Sequence, residues 1–273
     1  MTTCTSDWSN VAPSWDACRG HIERMKEPLT RELLAGLDLH PRERVLELGA
    51  GTGEFALVLA ERVGLQGSVI ASDVAPGMVE LIERTVAAFA NVEVARIDAH
   101  DIRLPDASVD AVVFRMGLML VDGPARVLHE CHRVLAPGGR LGLAVWAGPE
   151  HNPWLTCIGM AAMMHGLVSG GPPTGPGGPF SMADADALER IVRDAGFNDV
   201  TVSVVETPAT FASSDQHFDT VLALAPPLAA AFRGAPEVTR AAVRGTAADL
   251  AERHRTDSGL VLPGRTLLCT ARS

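Results

Sequence analysis

The chain lacks the features of several broad protein classes. It has no run of lysines or arginines, and its formal net charge is −10 over 273 residues. Because a nucleic-acid-binding surface needs a basic stripe against the phosphates, we expect a small-molecule substrate and no nucleic acid. The longest apolar region, 153–168, is too short to cross a bilayer and contains His165, and no charged segment followed by an apolar core begins the chain. We therefore expect a cytoplasmic protein with no membrane partner.

Cysteine pairs with the spacing of a metal site are also missing. The five cysteines are scattered, and no two of them form a C-x-x-C pair. This pattern predicts neither a disulfide framework nor a zinc site, and we expect no bound metal. A hydrophobic content of 47% and a charged content of 21% are typical of a folded globular chain.

A regular alternation of strand and helix patterns is present instead. It predicts right-handed crossovers and a mostly parallel sheet, an α/β fold with helices on both faces. The expected strands are 44–48, 68–72, 92–96, 109–114 and 140–146, and the expected helices between them are 53–63, 76–88 and about 121–135.

The segment before this alternation has a different pattern. We expect residues 1–40 to form a helical cap, with ten mobile residues followed by an amphipathic helix from Asp16 to about Leu37. Residues 41–147 then form the core, which contains the alternating strands and helices.

The segments after the core are less regular. Residues 148–183 contain methionines and a Gly/Pro-rich stretch at 170–179, and we expect them to form a lid inserted after the fifth strand. Residues 184–273 complete the same domain with helices and with a strand near 200–204. A last strand at about 265–271 is expected at the edge of the sheet, antiparallel to its partner.

The junction between the first strand and the next helix carries three glycines at alternate positions, in the stretch VLELGAGTGE at 45–54. Such a turn lets the backbone approach a nucleoside cofactor. The dinucleotide fingerprint G-x-G-x-x-G is not matched, because Gly53 comes one residue early and Glu54 takes the place of the last glycine. Glu47 lies just before the turn. Two carboxylates would repel a pyrophosphate but suit a ligand with an ammonium, a sulfonium and no phosphate, which predicts S-adenosylmethionine.

Four motifs in this order resemble those of the class I S-adenosylmethionine-dependent methyltransferases, in particular the small-molecule group related to ubiquinone and menaquinone biosynthesis. They are ELGAGTG at 47–53, Asp73 after the second strand, Asp98-Ala99 after the third, and RVLAPGG at 133–139. The resemblance runs from about 11 to 153. It implies a Rossmann-like sheet of seven strands, mostly parallel, with an antiparallel last strand.

Each motif has an expected role in cofactor binding. Asp73 can accept hydrogen bonds from both ribose hydroxyls, and it can also cap the helix that begins at Pro76. Met78 lies either against the adenine or in the core. The resemblance implies that Asp98 accepts the adenine amino group, while His100 faces either the cofactor or solvent. The full expected set is Glu47, Gly49, Ala50, Gly51, Thr52, Gly53, Asp73, Val74, Met78, Asp98, Ala99, His100 and Arg115.

The end of the fourth strand reads Phe114-Arg115-Met116-Gly117. These residues replace the Asn/Asp-Pro-Pro-Tyr signature of the methyltransferases that act on nucleic acids and on protein amides. We expect the backbone near Arg115 to meet the methionine end of the cofactor. The Arg115 side chain either binds an acidic substrate group or pairs with a glutamate.

Methyl transfer requires the donor and the acceptor to be held in line, and well-oriented proximity supplies roughly 7–11 kcal/mol of the barrier. A general base helps when the acceptor carries a proton, as phenols and alcohols do. His21 on the first helix and His165 in the methionine-rich segment are the candidate catalytic bases, and either can instead be structural. The candidate substrate-binding residues are Trp15, Met119, Trp154, Met164 and Phe180.

These patterns predict an enzyme that transfers a methyl group from S-adenosylmethionine to an oxygen, nitrogen or carbon atom of an apolar or aromatic small molecule. The alternative is a protein that binds the same cofactor without transferring its methyl group, because a fold does not determine a function. A homodimer is compatible with both.

Overall fold

A computed structural model describes residues 3–273 as an alternation of helices and strands. The helices are α1 (Thr3–Leu37), α2 (Glu54–Val63), α3 (Pro76–Val86), α4 (Pro124–Val134), α5 (Pro153–Met164), α6 (Ala185–Asp194), α7 (Ser214–Leu224), α8 (Pro226–Gly234) and α9 (Glu237–Glu252). The strands are β1 (Arg44–Glu47), β2 (Ser68–Asp73), β3 (Val92–Arg96), β4 (Val109–Arg115), β5 (Leu135–Trp146), β6 (Asn198–Glu206), β7 (Ala209–Phe211), β8 (Arg255–Thr256), β9 (Gly259–Leu262) and β10 (Arg265–Arg272).

Within the described residues, seven strands form the main sheet, in the order β3-β2-β1-β4-β5-β10-β6. The strands β1 to β5 are parallel to one another. The last strand, β10, is antiparallel to β5 and to β6. The core strands are apolar on both faces because helices pack around the sheet. The predicted Rossmann-like fold with an antiparallel last strand is confirmed.

The position of that last strand differs from our expectation. It lies between β5 and β6 instead of at the edge, and β6 is the edge strand. The reason is the burial of consecutive residues: Leu267, Leu268 and Cys269 are all buried. A strand that is apolar on both faces is stabilised in the interior of a sheet. The edge strand β6 instead exposes polar residues such as Thr201 and Ser203.

A second, three-stranded sheet in the order β7-β9-β8 was not predicted. Its strands are two to four residues long. A pattern that short has too few alternations to be recognised in a sequence.

The first helix is longer than we expected. It already includes Thr3 and continues through Pro13 and Pro28. The ten residues that we expected to be mobile are helical from Thr3 onward, and residues 1–2 lie outside the described part. Each internal proline removes one hydrogen bond of the helix, so packing must supply the stabilisation.

The packing of α1 has two anchors. Its amino-terminal half contacts α3, where Val11 and Ala12 are buried with Met78. Its carboxyl-terminal half lies on β5 and β10, and Leu33 comes so close to the sheet that a Cβ on Gly142 would be 2.7 Å from its Cδ1. The middle of α1 therefore passes over the carboxyl end of the sheet, where Glu23 contacts Arg115 at the end of β4.

The segment after β5 is partly helical. The helix α5 occupies 153–164, and residues 165–184 contain no helix or strand, as the Gly/Pro-rich stretch predicted. The division of the chain into cap, core and lid remains a prediction. No helix in the described residues is long and apolar enough to cross a membrane. The same residues contain no cluster of three or more His, Cys, Asp or Glu side chains that could hold a metal ion.

Candidate active site

The carboxyl ends of β2, β1 and β4 meet at one edge of the sheet. The chain moves outward from β1 through β2 to β3, and then crosses back to β4 and β5 on the other side. Ligands of doubly wound sheets bind in the crevice at such a reversal. The strand ends bring Glu47, Asp73 and Arg115 to this crevice.

The glycine corner, which we define as residues 49–53, follows β1. Gly51 has φ 61° and Gly53 has φ 89°, in the left-handed region that other residues avoid. A Cβ on Gly51 would meet nothing within 4 Å, which leaves room for a ligand at this side of the corner. A Cβ on Gly53 would lie 3.2 Å from the Cα of Ile82 on α3, so this glycine permits close helix packing.

The other residues of the corner tie it to its surroundings. The amide of Ala50 donates to the carbonyl of Ser72 (2.8 Å). The carbonyl of Thr52 accepts a hydrogen bond from the hydroxyl of Thr85 on α3 (2.7 Å). These contacts hold the corner against β2 and α3.

Asp73 joins the glycine corner to the start of α3. Its Oδ2 accepts a hydrogen bond from the amide of Gly51 (3.2 Å), and its Oδ1 accepts one from the amide of Ala75 (3.0 Å). Burial raises the pKa of Asp73, and these two hydrogen bonds oppose the increase. Each carboxylate oxygen can accept a further hydrogen bond. Asp73 can therefore serve both roles that we considered, the local cap and the ribose acceptor.

The predicted adenine-binding residues lie at the ends of β2 and β3. The Oδ1 of Asp98 accepts the amide of His100 (2.9 Å) and contacts its Nδ1 (2.8 Å). The Nε2 of His100 in turn contacts the carbonyl of Asp122. Val74 and Ala99 are half-buried beside them, and Met78 is buried under α1. His100 is thus a bridge between Asp98 and the loop after β4.

Glu47 is a buried carboxylate with an unsatisfied oxygen. The residue is 2% exposed, and its Oε2 has no hydrogen-bond partner among residues 3–273. Burial raises the pKa of Glu47 to about 8, and the nearby Arg115 guanidinium opposes this increase. A buried acceptor without a partner is costly in free energy. A ligand ammonium placed here would satisfy it, so the donor set fits the amino-acid end of S-adenosylmethionine.

Arg115 pairs with a glutamate, one of the two alternatives that the sequence left open. Its guanidinium forms a bidentate contact with Glu23 of α1 (2.9 and 2.8 Å) and donates to the hydroxyl of Thr30 (2.8 Å). It also lies 4.5 Å from the ring centroid of Phe55. The guanidinium of Arg115 is therefore bound to side chains of α1.

The two candidate bases lie in different surroundings. The ring of His21 stacks on Phe211 with centroids 4.5 Å apart, and its buried Nε2 has no hydrogen-bond partner in the part of the chain that the structure describes. Burial and the nearby Arg24 lower the pKa of His21. His165 is exposed at the end of α5, where its Nε2 contacts the hydroxyl of Thr246 (2.7 Å). The structure does not bring these two histidines together.

A histidine-aromatic cluster, consisting of His21, Phe211, His217 and Trp154, contains one of the predicted substrate-binding residues. Phe211 contacts the ring of His217 (centroids 4.9 Å apart), and the Nε2 of His217 contacts the carbonyl of Trp154 (2.7 Å). The indole Nε1 of Trp154 is buried without a hydrogen-bond partner in the described residues. Like the Nε2 of His21, it is a polar atom that a hydrogen bond from a ligand would satisfy.

The other predicted substrate-binding residues are dispersed. Met119 and Phe180 are buried in the core. Trp15 contacts the edge of Trp8, with ring centroids 5.8 Å apart. Met164 is 64% exposed. Because a pocket residue must be shielded by its neighbours, Met164 is not part of the site that we propose.

Sequence reasoning missed four residues of this region: Glu23, Lys26, Phe211 and His217. A signal for Lys26 was present, because it follows Ile22 by four residues and therefore falls on the apolar face of α1. Phe211 and His217 gave no such signal, since they belong to a short strand and to the start of another helix.

Comparisons with known proteins agree with this geometry. Residues 45–139 match the family described as methyltransferase domain. The ubiquinone/menaquinone biosynthesis C-methyltransferase of Teredinibacter turnerae is 30% identical over 142 residues, covering 50% of this chain and 55% of that protein. The chain spans about half the length of the curated relatives that it matches.

Solved structures show the same fold. A SAM dependent methyltransferase from Aquifex aeolicus is 26% identical with a TM-score of 0.52, covering 68% of this chain and 87% of that one. The (4+2)-cyclase SpnF, 21% identical with a TM-score of 0.56 over 97% of this chain and 95% of that one, is alike in fold alone. The motifs, the sheet order and these relatives agree: residues 45–139 match a methyltransferase domain, and this part of the chain is similar to the class I S-adenosylmethionine-dependent methyltransferases of ubiquinone and menaquinone biosynthesis.

Proposed function

We propose that this protein binds S-adenosylmethionine at the glycine corner and transfers its methyl group to an oxygen, nitrogen or carbon atom of an apolar or aromatic small molecule. The observation that carries the proposal is the buried carboxyl of Glu47 together with the half-buried carboxyl of Asp73, at the ends of adjacent strands beside the corner. Carboxyl oxygens at these two positions accept hydrogen bonds from an ammonium and from ribose hydroxyls, whereas a pyrophosphate offers them no donor.

S-adenosylmethionine, when bound, supplies an electrophilic methyl group on a sulfonium. The residues of the chain hold and orient it. Asp73 accepts hydrogen bonds from the ribose hydroxyls, and the unpartnered oxygen of Glu47 accepts one from the ammonium. Asp98 uses Oδ1 for His100, so its Oδ2 serves the adenine amino group. Holding both reactants in this way lowers the barrier by proximity and orientation.

His21 is the general base of this proposal for acceptors that carry a proton. Its lowered pKa keeps the imidazole neutral near pH 7, and the free Nε2 can accept a proton. Phe211 fixes the plane of the ring by stacking. The apolar and aromatic neighbours of His21 support a flat, apolar acceptor.

Isothermal titration calorimetry with S-adenosylmethionine and S-adenosylhomocysteine tests the binding step. We expect micromolar affinity for both, and the Asp73→Asn variant should bind each roughly 10-fold or more weakly, because it loses charge-assisted hydrogen bonds. Asp257→Asn, on an exposed turn far along the chain, is the matched control and should bind like the unmodified protein. Absence of heat for both ligands with the unmodified protein refutes the proposal.

Transfer of labelled methyl groups tests the reaction step. The screen offers phenols, indoles, amines and quinone precursors as acceptors, with S-adenosylhomocysteine release as an independent readout. The alternative function is cofactor binding without methyl transfer. The likeness in fold to a cyclase is the reason to test it, because one fold can carry different functions. Tight cofactor binding with no product from any acceptor class favours that alternative.

A further inference from the structure

The 273 residues include 23 lysines and arginines in total, and Lys26 is the only lysine among them. It lies in the middle of α1, where the helix passes over the carboxyl ends of the strands. Its side chain is buried, at 9% exposure for the residue. Lysine is rarely buried without a partner, so this position requires an explanation.

The partners of Lys26 in the described residues do not fully satisfy it. Its Nζ lies 3.6 Å from Glu23 Oε1, which is an ion pair but longer than a hydrogen bond. The Nζ also lies 5.8 Å from the ring centroid of Trp15. Glu23 is already engaged by both terminal nitrogens of Arg115. The ammonium of Lys26 therefore has donors that its closest carboxylate does not use.

Glu47 is the complementary group in the same crevice. Its Oε2 has no partner, and no ion pair joins it to Lys26 in the described part of the chain. The crevice thus holds an under-satisfied amine on α1 and an under-satisfied carboxyl group at the end of β1. A zwitterionic amino acid carries a carboxylate and an ammonium, which would provide the missing partners of Lys26 and Glu47.

We propose that Lys26 binds the carboxylate of the amino-acid end of the cofactor while Glu47 binds its ammonium. This inference rests on the proposed function, since it assumes that S-adenosylmethionine occupies the crevice. It makes α1 part of the cofactor site. Arg115 is excluded from this role because Glu23 and Thr30 already occupy its terminal nitrogens.

The electrostatics of the crevice support this assignment. Burial, together with the nearby Arg115, lowers the pKa of Lys26 to about 8, although the carboxylates of Glu23 and Glu54 oppose the decrease. Burial also raises the pKa of Glu47 to about 8. Each group is thus held away from its charged form, and a bound zwitterion would return both toward it.

Two ligands that differ only at the amino-acid end provide the test. S-adenosylhomocysteine carries the zwitterion, whereas 5′-methylthioadenosine keeps the nucleoside and the thioether but lacks it. We expect Lys26→Met to weaken S-adenosylhomocysteine roughly 10- to 100-fold in calorimetry, the loss of a hydrogen bond to a charged group. Binding of 5′-methylthioadenosine should not change, which also shows that the variant is folded.

Matched variants sharpen this comparison. Arg31→Met removes an exposed cation from the same helix and should leave both affinities unchanged. Lys26→Arg keeps the charge and should retain part of the preference for S-adenosylhomocysteine. An unchanged ratio of the two affinities in Lys26→Met overturns the inference while the proposed function stands. If the unmodified protein binds neither S-adenosylmethionine nor S-adenosylhomocysteine, the proposed function itself fails.

The single lysine permits a second measurement on the unmodified protein. An amine-reactive acetylating reagent at pH 8, followed by peptide mass spectrometry, reports the reactivity of the only ε-amine in the chain. Saturating S-adenosylhomocysteine should slow acetylation of Lys26 markedly more than saturating 5′-methylthioadenosine does. Equal rates with the two ligands contradict the assignment.

Discussion

Replacing Glu47 by glutamine should stabilise the ligand-free protein near pH 8 and have little effect near pH 4.5. The pKa of Glu47 is raised from its usual 4.5 to about 8 by burial. A carboxyl whose pKa is higher in the folded state contributes stability that is fully present below its unfolded pKa and is lost as the pH rises through the folded one. Glutamine has the same shape and cannot ionise, so the variant does not undergo this loss.

The expected magnitude follows from the raised pKa. One unit of difference corresponds to about 1.4 kcal/mol. The contribution of Glu47 to the free energy of unfolding is therefore on the order of 3 kcal/mol smaller at pH 7 than at pH 4.5, and the decrease is somewhat larger at pH 8. Glu47 is fully buried, so solvent screening does not reduce this figure appreciably.

Urea unfolding followed by circular dichroism, without cofactor, at pH 5, 7 and 8.5 measures this effect. The stability difference between Glu47→Gln and the unmodified protein should grow with pH over this range. Glu61→Gln, an exposed glutamate on α2, is the control and should show no such growth. A variant that is less stable at pH 8.5, or a difference independent of pH, refutes the reasoning.

Two further predictions concern the base and the glycine corner. His21→Phe should reduce kcat for a phenolic acceptor by roughly 10²- to 10⁴-fold with unchanged cofactor affinity, because the general base is lost. In the unmodified enzyme, kcat/KM should fall with decreasing pH only below about 6.5, since the pKa of His21 is lowered from that value. Gly53→Ala should cost roughly 1–3 kcal/mol in urea unfolding, because the new Cβ combines a φ of 89° with a 3.2 Å contact to the backbone of Ile82.

Each of these predictions has a matched comparison in the chain. His165→Phe alters the other candidate base and should leave kcat unchanged, and an equal loss in both variants contradicts the role of His21. Gly64→Ala has a similar positive φ of 70° with nothing within 4 Å of the new Cβ. It should therefore cost less than Gly53→Ala, and equal costs would show that contact with α3 is unimportant.

The fold class and the cofactor were predictable because their signals are local. The alternation of strand and helix patterns depends on side-chain periodicity within each element. The glycine corner combines three glycines with Glu47 in seven consecutive residues, 47–53. Asp73 was identifiable because parallel strands end at the same edge, so a carboxylate at the next strand end must lie beside the corner.

The extent of α1 and the place of β10 were not predictable in this way. Two prolines interrupt the pattern of α1, and packing on α3 at one end and on β5 and β10 at the other overrides them. β10 lies in the interior of the sheet because β6 pairs with its second edge. β6 precedes β10 by more than fifty residues, so no local pattern predicts this pairing.

By itself, the sequence determined the α/β fold and pointed to S-adenosylmethionine as the cofactor, because residues close in the chain carry that information. Only the tertiary structure decided which side chains complete the crevice. Glu23 reaches Arg115 across 92 positions, and His21 stacks on Phe211 from the opposite end of the chain. Such contacts form only after the helix and the sheet have packed, since no local pattern specifies the distance between residues far apart in sequence.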